Sequence, residues 1–72
     1  MAFQELKPLL KIRAERQKRG LRQLDLAYSA NVPISELSRI ETGQARPYPA
    51  YAKRLAQVLG LKPEELTDEV DA

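Results

Sequence analysis

The sequence contains no cysteine, no histidine and no tryptophan. Without cysteine no disulfide bond can form, and without both cysteine and histidine the usual zinc, haem and thiol sites cannot be built. The carboxylates are scattered and form no pair that would build a catalytic cleft in so small a domain. We therefore predict a protein that is not an enzyme and that uses no metal or cofactor.

Long apolar runs are also missing. No stretch approaches the ~18 residues that a membrane-spanning helix requires, and the first five residues do not resemble a signal peptide. A chain of 72 residues forms one domain with a core of marginal size. These features predict a soluble cytoplasmic protein with a single domain over residues 1–72, its core at about 8–66 and a frayed acidic end at 67–72.

Charge is divided unevenly along the chain. Residues 7–62 hold all twelve Lys and Arg but only four of the ten Asp and Glu, which gives a net charge of +8. Residues 63–72 hold five acidic residues and no basic one. A compact basic body is typical of proteins that bind phosphates. The alternative is a solvated basic surface without a partner, and we favour the phosphate-binding interpretation.

Helical periodicity covers most of the chain. Ala52, Leu55, Ala56 and Leu59, for example, recur at the spacing of one helix face. Each glycine falls directly after such a segment, where a helix is expected to end. The sequence therefore predicts an all-α, compact five-helix fold without strands. The predicted helices lie near 8–19, 23–30, 33–42, 50–59 and 61–66.

Two short helices joined by a tight turn are predicted between Gln23 and Gly43. Asn31 tolerates the left-handed backbone that a chain reversal needs, and Pro33 suits the first turn of the following helix. Leu24 is expected on the apolar side of the first of these helices. This arrangement is typical of a helix-turn-helix, although an ordinary helical hairpin fits the spacing equally well.

The second helix of this pair has two contrasting faces. At about 100° per residue, Leu37 and Ile40 share one quadrant, which marks the buried side. The opposite face carries small hydroxyls and one guanidinium, which leaves room for a large partner. Its residues are Ser35, Ser38, Arg39 and Thr42.

Arg22 precedes the first helix of the pair, where Ser or Thr would cap the helix better. An arginine cannot accept hydrogen bonds from the free N–H groups of the first turn. A phosphate lying there could accept from both the arginine and the helix N-terminus. Arg22 is therefore a candidate phosphate contact.

From about Leu9 to Leu66 the sequence resembles the lambda-repressor-like helix-turn-helix family, also called the Xre or Cro/repressor type. The resemblance depends on several short motifs at the right separation, each of which is weak alone. They are Arg16-x-x-x-Gly20-Leu21-x-Gln23-x-x-Leu26-Ala27, Val32, Leu37-Ser38-Arg39-Ile40-Glu41-x-Gly43, Pro47, and Leu55-Ala56-x-x-Leu59-Gly60.

The resemblance implies a role for each matching position. Gln23 would bind a backbone phosphate and brace the recognition helix, while Arg16 and Glu41 would form a largely buried ion pair. Arg46 lies in the loop that runs along the phosphate backbone in relatives. The candidates for reading bases are Pro33, Ile34, Ser35 and Arg39. The candidates for binding phosphates are Arg22, Gln23, Ser38, Thr42 and Arg46.

The start of the recognition helix departs from the family pattern. Pro33 and Ile34 stand where many relatives have Ser, Thr or Gln, which removes hydrogen-bonding capacity. Ile34 could pack on a thymine methyl group or close the edge of the core, and both interpretations stay open. Arg39 could donate to a guanine or pair with Glu36 on its own helix, and we favour the base contact. Ser35 could bond to a base or to a phosphate.

The predicted function is a sequence-specific, double-stranded-DNA-binding transcriptional regulator. A homodimer is expected, because one recognition helix offers too few base contacts for useful specificity. Its interface would use the fourth and fifth helices (Val58, Leu61, Leu66) or the N-terminal Phe3 and Leu6. The alternative is a protein-interaction module, such as an antitoxin-like partner, that works through the acidic C-terminal end or the same N-terminal apolar residues.

Overall fold

The computed structural model describes residues 9–70. Most of this region is helical, as the periodicity predicts. The α-helices are α1 (Lys11–Lys18), α2 (Gln23–Ala30), α3 (Ile34–Glu41) and α4 (Pro49–Leu59). A 3-10 turn follows at Pro63–Glu65, and the short strands β1 (Leu9–Leu10) and β2 (Glu69–Val70) flank the helical part.

The fifth predicted helix is a single 3-10 turn of three residues, so the expected count of five α-helices is wrong. Pro63 opens this turn, and the Glu65 carboxylate accepts a hydrogen bond from the backbone N–H of Lys62 at 3.3 Å. With three residues, this turn is too short to be an α-helix. The helical class of the fold is nevertheless as predicted.

The two strands were not expected from the sequence. Leu9 lies opposite Val70, and Leu10 lies opposite Glu69, in an antiparallel pair. Because Leu9 and Leu10 are extended, α1 begins at Lys11; the start expected near Pro8 lies outside the described residues. This strand pair also fixes Glu69 and Val70, which belong to the segment 67–72 that was expected to fray.

Within residues 9–70, one hydrophobic core joins the helices α1 to α4. Its largest fully buried side chains are Ile12, Leu26, Leu37, Ile40, Leu55, Leu59 and Leu66. Full burial of such a side chain contributes ~1.5–3 kcal/mol. The core therefore fixes α3 from behind and leaves its opposite face outside the packed interior.

The turn between α2 and α3 has the predicted backbone geometry. Asn31 ends α2 in the left-handed region, at φ 56° and ψ 51°. Pro33 is the N-cap residue of α3 instead of lying in its first turn, so α3 is one residue shorter at each end than expected. From α4, the Arg54 guanidinium donates to the carbonyl oxygens of Ala30 (2.9 Å) and Asn31 (3.0 Å), which fixes the end of α2.

None of the helices in residues 9–70 has the length and the apolar character needed to cross a membrane.

Candidate nucleic-acid interface

The outward face of α3 is open to solvent. Leu37 and Ile40 are fully buried beneath it, whereas Ser35, Arg39 and Thr42 are exposed. Ser38 is only half-buried, and Pro33 and Ile34 are exposed where the helix begins. The structure therefore places all four candidate base-reading residues on an accessible surface.

Arg39 carries the only guanidinium of α3. Its Nη1 atom lies 4.0 Å from Glu36 Oε2, which is too far for a hydrogen bond, and its side chain is 55% exposed. Such an exposed pair on one helix is worth only a few tenths of a kcal/mol. Glu36 therefore does little to hold Arg39, and the guanidinium can extend towards a partner.

Arg16 and Glu41 form a two-pronged buried ion pair between α1 and the end of α3. Arg16 Nε lies 2.7 Å from Glu41 Oε2, and Arg16 Nη2 lies 3.0 Å from Oε1. The Arg16 Nη1 atom also donates to the carbonyl oxygen of Leu21 at 2.8 Å. One guanidinium thus fixes α3 and the chain that enters α2.

Gln23 opens α2 and contacts the same carboxylate. Its Nε2 atom donates to Glu41 Oε1 at 3.0 Å, and its side chain is half-buried. The resemblance implies that Gln23 binds a phosphate and braces the recognition helix. The bond to Glu41, at the end of α3, is a contact of the second kind. The sequence does not identify this partner, because the two residues belong to different helices.

Arg22 is not a free cation in this structure. Its Nε and Nη2 atoms each donate to the Asp25 carboxylate at 3.0 Å, and its backbone N–H donates to Asp25 Oδ2 at 2.9 Å. These bonds from Arg22 lower the pKa of Asp25, and the bond to the carboxylate raises the pKa of Arg22. Asp25 therefore occupies the place that a phosphate was expected to take.

The remaining phosphate candidates differ in their availability. The Thr42 hydroxyl lies 3.0 Å from the carbonyl oxygen of Ser38 and 3.2 Å from that of Arg39, so its proton is used within the helix. Arg46 is exposed in the loop between α3 and α4. No ion pair involves Arg46 within residues 9–70.

Several basic side chains already donate hydrogen bonds to other groups of the protein. The basic side chains that donate hydrogen bonds within residues 9–70 are Lys11, Arg16, Arg19, Arg22 and Arg54. Arg19, for example, donates to the carbonyl oxygen of Leu59 at the end of α4 at 2.7 Å. Fewer basic side chains are therefore free to reach a phosphate than the number of Lys and Arg in the basic segment suggests.

An exposed apolar surface adjoins the start of α3. Leu24 is 56% exposed and Tyr28 is 87% exposed, and both line a shallow groove with Pro33 and Ile34. Leu24 was expected on the apolar side of α2 but lies outside the core, because Leu26 and Ala27 supply the buried side of the helix. No group of three or more acidic side chains within residues 9–70 is placed to hold a metal ion.

The model of a family described as "Helix-turn-helix domain" matches residues 10–70. The chain belongs to this helix-turn-helix family. A solved structure of the restriction-modification controller protein C.AhdI from Aeromonas hydrophila is 31% identical, with a TM-score of 0.69. The match covers 76% of this chain and 83% of that one. No curated protein matches the chain.

These matches confirm the resemblance to the Xre type and the all-α helix-turn-helix class. The chain is therefore a DNA-binding domain of the type found in transcription regulators. In it, α2 and α3 are the two helices of the motif, and α3 is the one with the open outward face.

Proposed function

We propose that the protein is a sequence-specific regulator of transcription that binds double-stranded DNA and inserts α3 into the major groove. The observation that carries this proposal is the open face of α3, which presents Ser35 and Arg39 while Leu37 and Ile40 anchor the helix from behind. A helix held in this way can enter a groove without disturbing the core.

Base reading is assigned to the start and middle of α3. Arg39 would donate two hydrogen bonds to a guanine, and Ile34 would contact a thymine methyl group. Ser35 would bond to a base or to a neighbouring phosphate. Pro33 offers no N–H, so it would contribute shape to this end of the helix and no hydrogen bond.

Phosphate binding is assigned to the N-terminus of α2 and to the loop after α3. Free backbone N–H groups at a helix N-terminus attract anions, and Gln23 stands at that end. Arg46 would contact the backbone on the other side of α3, and Ser38 and Thr42 would contribute only secondary contacts. Arg22 would join them only after leaving Asp25.

We propose a homodimer, because two copies could read half-sites about 34 Å apart and together gain enough base contacts. Leu66 cannot serve in the interface as expected, since it is fully buried in its own core. Val58 and Leu61 are only half-buried and stay candidates, whereas Phe3 and Leu6 lie outside the described residues.

The similar protein C.AhdI is described as a restriction-modification controller. We propose by analogy that this chain controls the transcription of genes next to its binding sites, in the cytoplasm. The alternative role as a protein-interaction module gains little support, since part of the acidic C-terminal stretch is used internally: Glu65 bonds to Lys11 at 2.7 Å, and Glu69 lies in β2.

The proposal is tested by selecting bound duplexes from a random pool with the full chain and measuring the mass of the complex. We expect one enriched sequence with two-fold symmetry, bound by two copies. Arg39→Ala should relax the preference at one base position in each half-site. Arg13→Ala, which removes an exposed cation from α1, serves as the matched control and should leave the selected sequence unchanged. Failure to enrich any sequence would contradict the proposal.

A further inference from the structure

The Glu41 carboxylate has more partners than a simple ion pair needs. Its side chain is fully buried and accepts two hydrogen bonds from Arg16 and a third from Gln23. The two bonds from Arg16 already balance its charge. The third bond extends from the end of the recognition helix to the residue that opens α2.

This third bond fixes the orientation of the Gln23 amide. If the amide turned over, its oxygen would face a carboxylate oxygen, and two acceptors would oppose each other. The carboxylate therefore keeps the nitrogen towards itself. An amide nitrogen carries two hydrogens, so one N–H of the half-buried Gln23 stays available to a phosphate.

The same ion pair also fixes the backbone beside Gln23. Arg16 Nη1 donates to the carbonyl oxygen of Leu21, two residues before α2 begins. Arg16 thus holds the chain that leads into the helix, and Glu41 holds the first side chain of the helix. Both elements of the proposed phosphate site are in place before DNA arrives.

We infer that Glu41 is a positioning residue for DNA binding, which orients the Gln23 amide towards a backbone phosphate of the duplex. This inference rests on the proposed function. A side chain that is already fixed loses little conformational freedom on binding, so the contact is stronger than one from a mobile glutamine. The buried ion pair would then serve DNA binding as well as stability.

Charge and positioning predict opposite results for Glu41→Gln. The change removes one negative charge from a protein that binds a polyanion, so charge alone would tighten binding. Loss of positioning should instead weaken binding to the selected duplex by roughly three- to tenfold, the range expected for a weakened bond to a charged acceptor. Glu65→Gln is the matched control, because it breaks the ion pair with Lys11 and changes the net charge equally.

A double-mutant cycle assigns the loss to Gln23. Gln23→Ala should weaken binding by roughly tenfold. In that background Glu41→Gln should weaken binding no further, because only the effect of its charge remains. Dissociation constants would be measured by fluorescence anisotropy on the selected duplex, with the folded fraction checked by circular dichroism. Equal binding by Glu41→Gln and Glu65→Gln, or additive losses in the cycle, would overturn the inference while the proposed function stands.

Two further measurements keep the test independent of the fold and of DNA. The double variant Arg16→Met/Glu41→Leu keeps the net charge and replaces the pair by apolar groups, which buried sites often tolerate. It should stay folded and bind as weakly as Gln23→Ala; wild-type affinity would overturn the inference. In the DNA-free protein, NMR should show a downfield shift of the Gln23 side-chain amide proton that faces Glu41. This shift should shrink in Glu41→Gln, and an unchanged spectrum would also overturn the inference. If the wild type binds no duplex, both proposals fail.

Discussion

The Asp25 carboxylate holds the Arg22 guanidinium at two contacts of 3.0 Å, directly before the first turn of α2. This contact makes Asp25 a competitor of any phosphate that approaches the helix N-terminus. Asp25→Asn should therefore release Arg22 and tighten binding to DNA. The logarithm of the affinity should also fall more steeply with the logarithm of salt concentration, by about one unit of slope for one added phosphate contact.

Glu64→Gln is the matched control for this prediction, because Glu64 is an exposed acid distant in sequence from α2 and its loss changes the net charge equally. It should leave the slope unchanged. Equal slopes for the two variants, measured by titration at several salt concentrations, would show that Arg22 gains no phosphate contact.

The buried pair of Arg16 and Glu41 should dominate the effect of charge removal on stability. Arg16→Ala strands the Glu41 carboxylate in the core, at a cost of ~3–5 kcal/mol in the free energy of unfolding. Lys18 is exposed and lies 3.9 Å from Glu15, so Lys18→Ala should change stability very little. Urea unfolding of both variants checks this, and equal free energies of unfolding would argue against the pair.

Acid should selectively remove the contribution of the contact between Lys11 and Glu65. The hydrogen bond from Lys11, followed by that from the Lys62 backbone, lowers the pKa of Glu65 below its ordinary value. A lowered folded-state pKa means that the stabilisation is present above the ordinary value of about 4.3 and is lost as the pH falls through the folded-state pKa.

The wild type should therefore exceed Glu65→Gln in stability at pH 7, and the difference should vanish near pH 2. Denaturant titrations of both proteins at the two pH values measure it. The same contact is also lost at high pH. The hydrogen bond to Glu65 raises the pKa of Lys11, so the stabilisation is lost only as the pH rises through the folded-state pKa of Lys11. A difference that stays constant from pH 2 to pH 7 would contradict the assignment.

The helices and the turn could be predicted because their signals are local. Apolar spacing places Leu37 and Ile40 on one face, and Asn31 and Gly60 end α2 and α4 in the left-handed backbone that favours them. The open face of α3 follows from the same spacing. These features need no knowledge of which helices touch.

The rest depends on contacts between distant parts of the chain. Strands of two residues have no recognisable pattern, so the pairing of Leu9 with Val70 could not be predicted. Arg54 and Arg19 bond to carbonyl oxygens at the ends of α2 and α4, and such acceptors are known only once the helices are packed. From the sequence alone these arginines are expected to be free cations. In the fold their guanidinium groups bond to the carbonyl oxygens at the ends of α2 and α4.

Ile34 should recognise thymine through its 5-methyl group. The side chain is exposed at the start of α3, beside Pro33, and neither of these two side chains has a hydrogen-bond donor, so the most favourable contact of Ile34 with a base edge is apolar. Replacing the contacted thymine by deoxyuridine removes only one methyl group. If that group is buried on binding, the loss is ~0.8 kcal/mol, or about fourfold in affinity.

Deoxyuridine would be placed at each thymine of the selected duplex in turn, and the affinities of the wild type and Ile34→Ala would be compared. One position in each half-site should be sensitive in the wild type and insensitive in Ile34→Ala, since the variant has no side chain to contact the methyl group. Ser35→Ala, next in the helix, should keep the sensitivity. If the wild type tolerates deoxyuridine everywhere, Ile34 does not read a thymine methyl, and the specificity at this end of α3 must come from DNA shape or from Ser35.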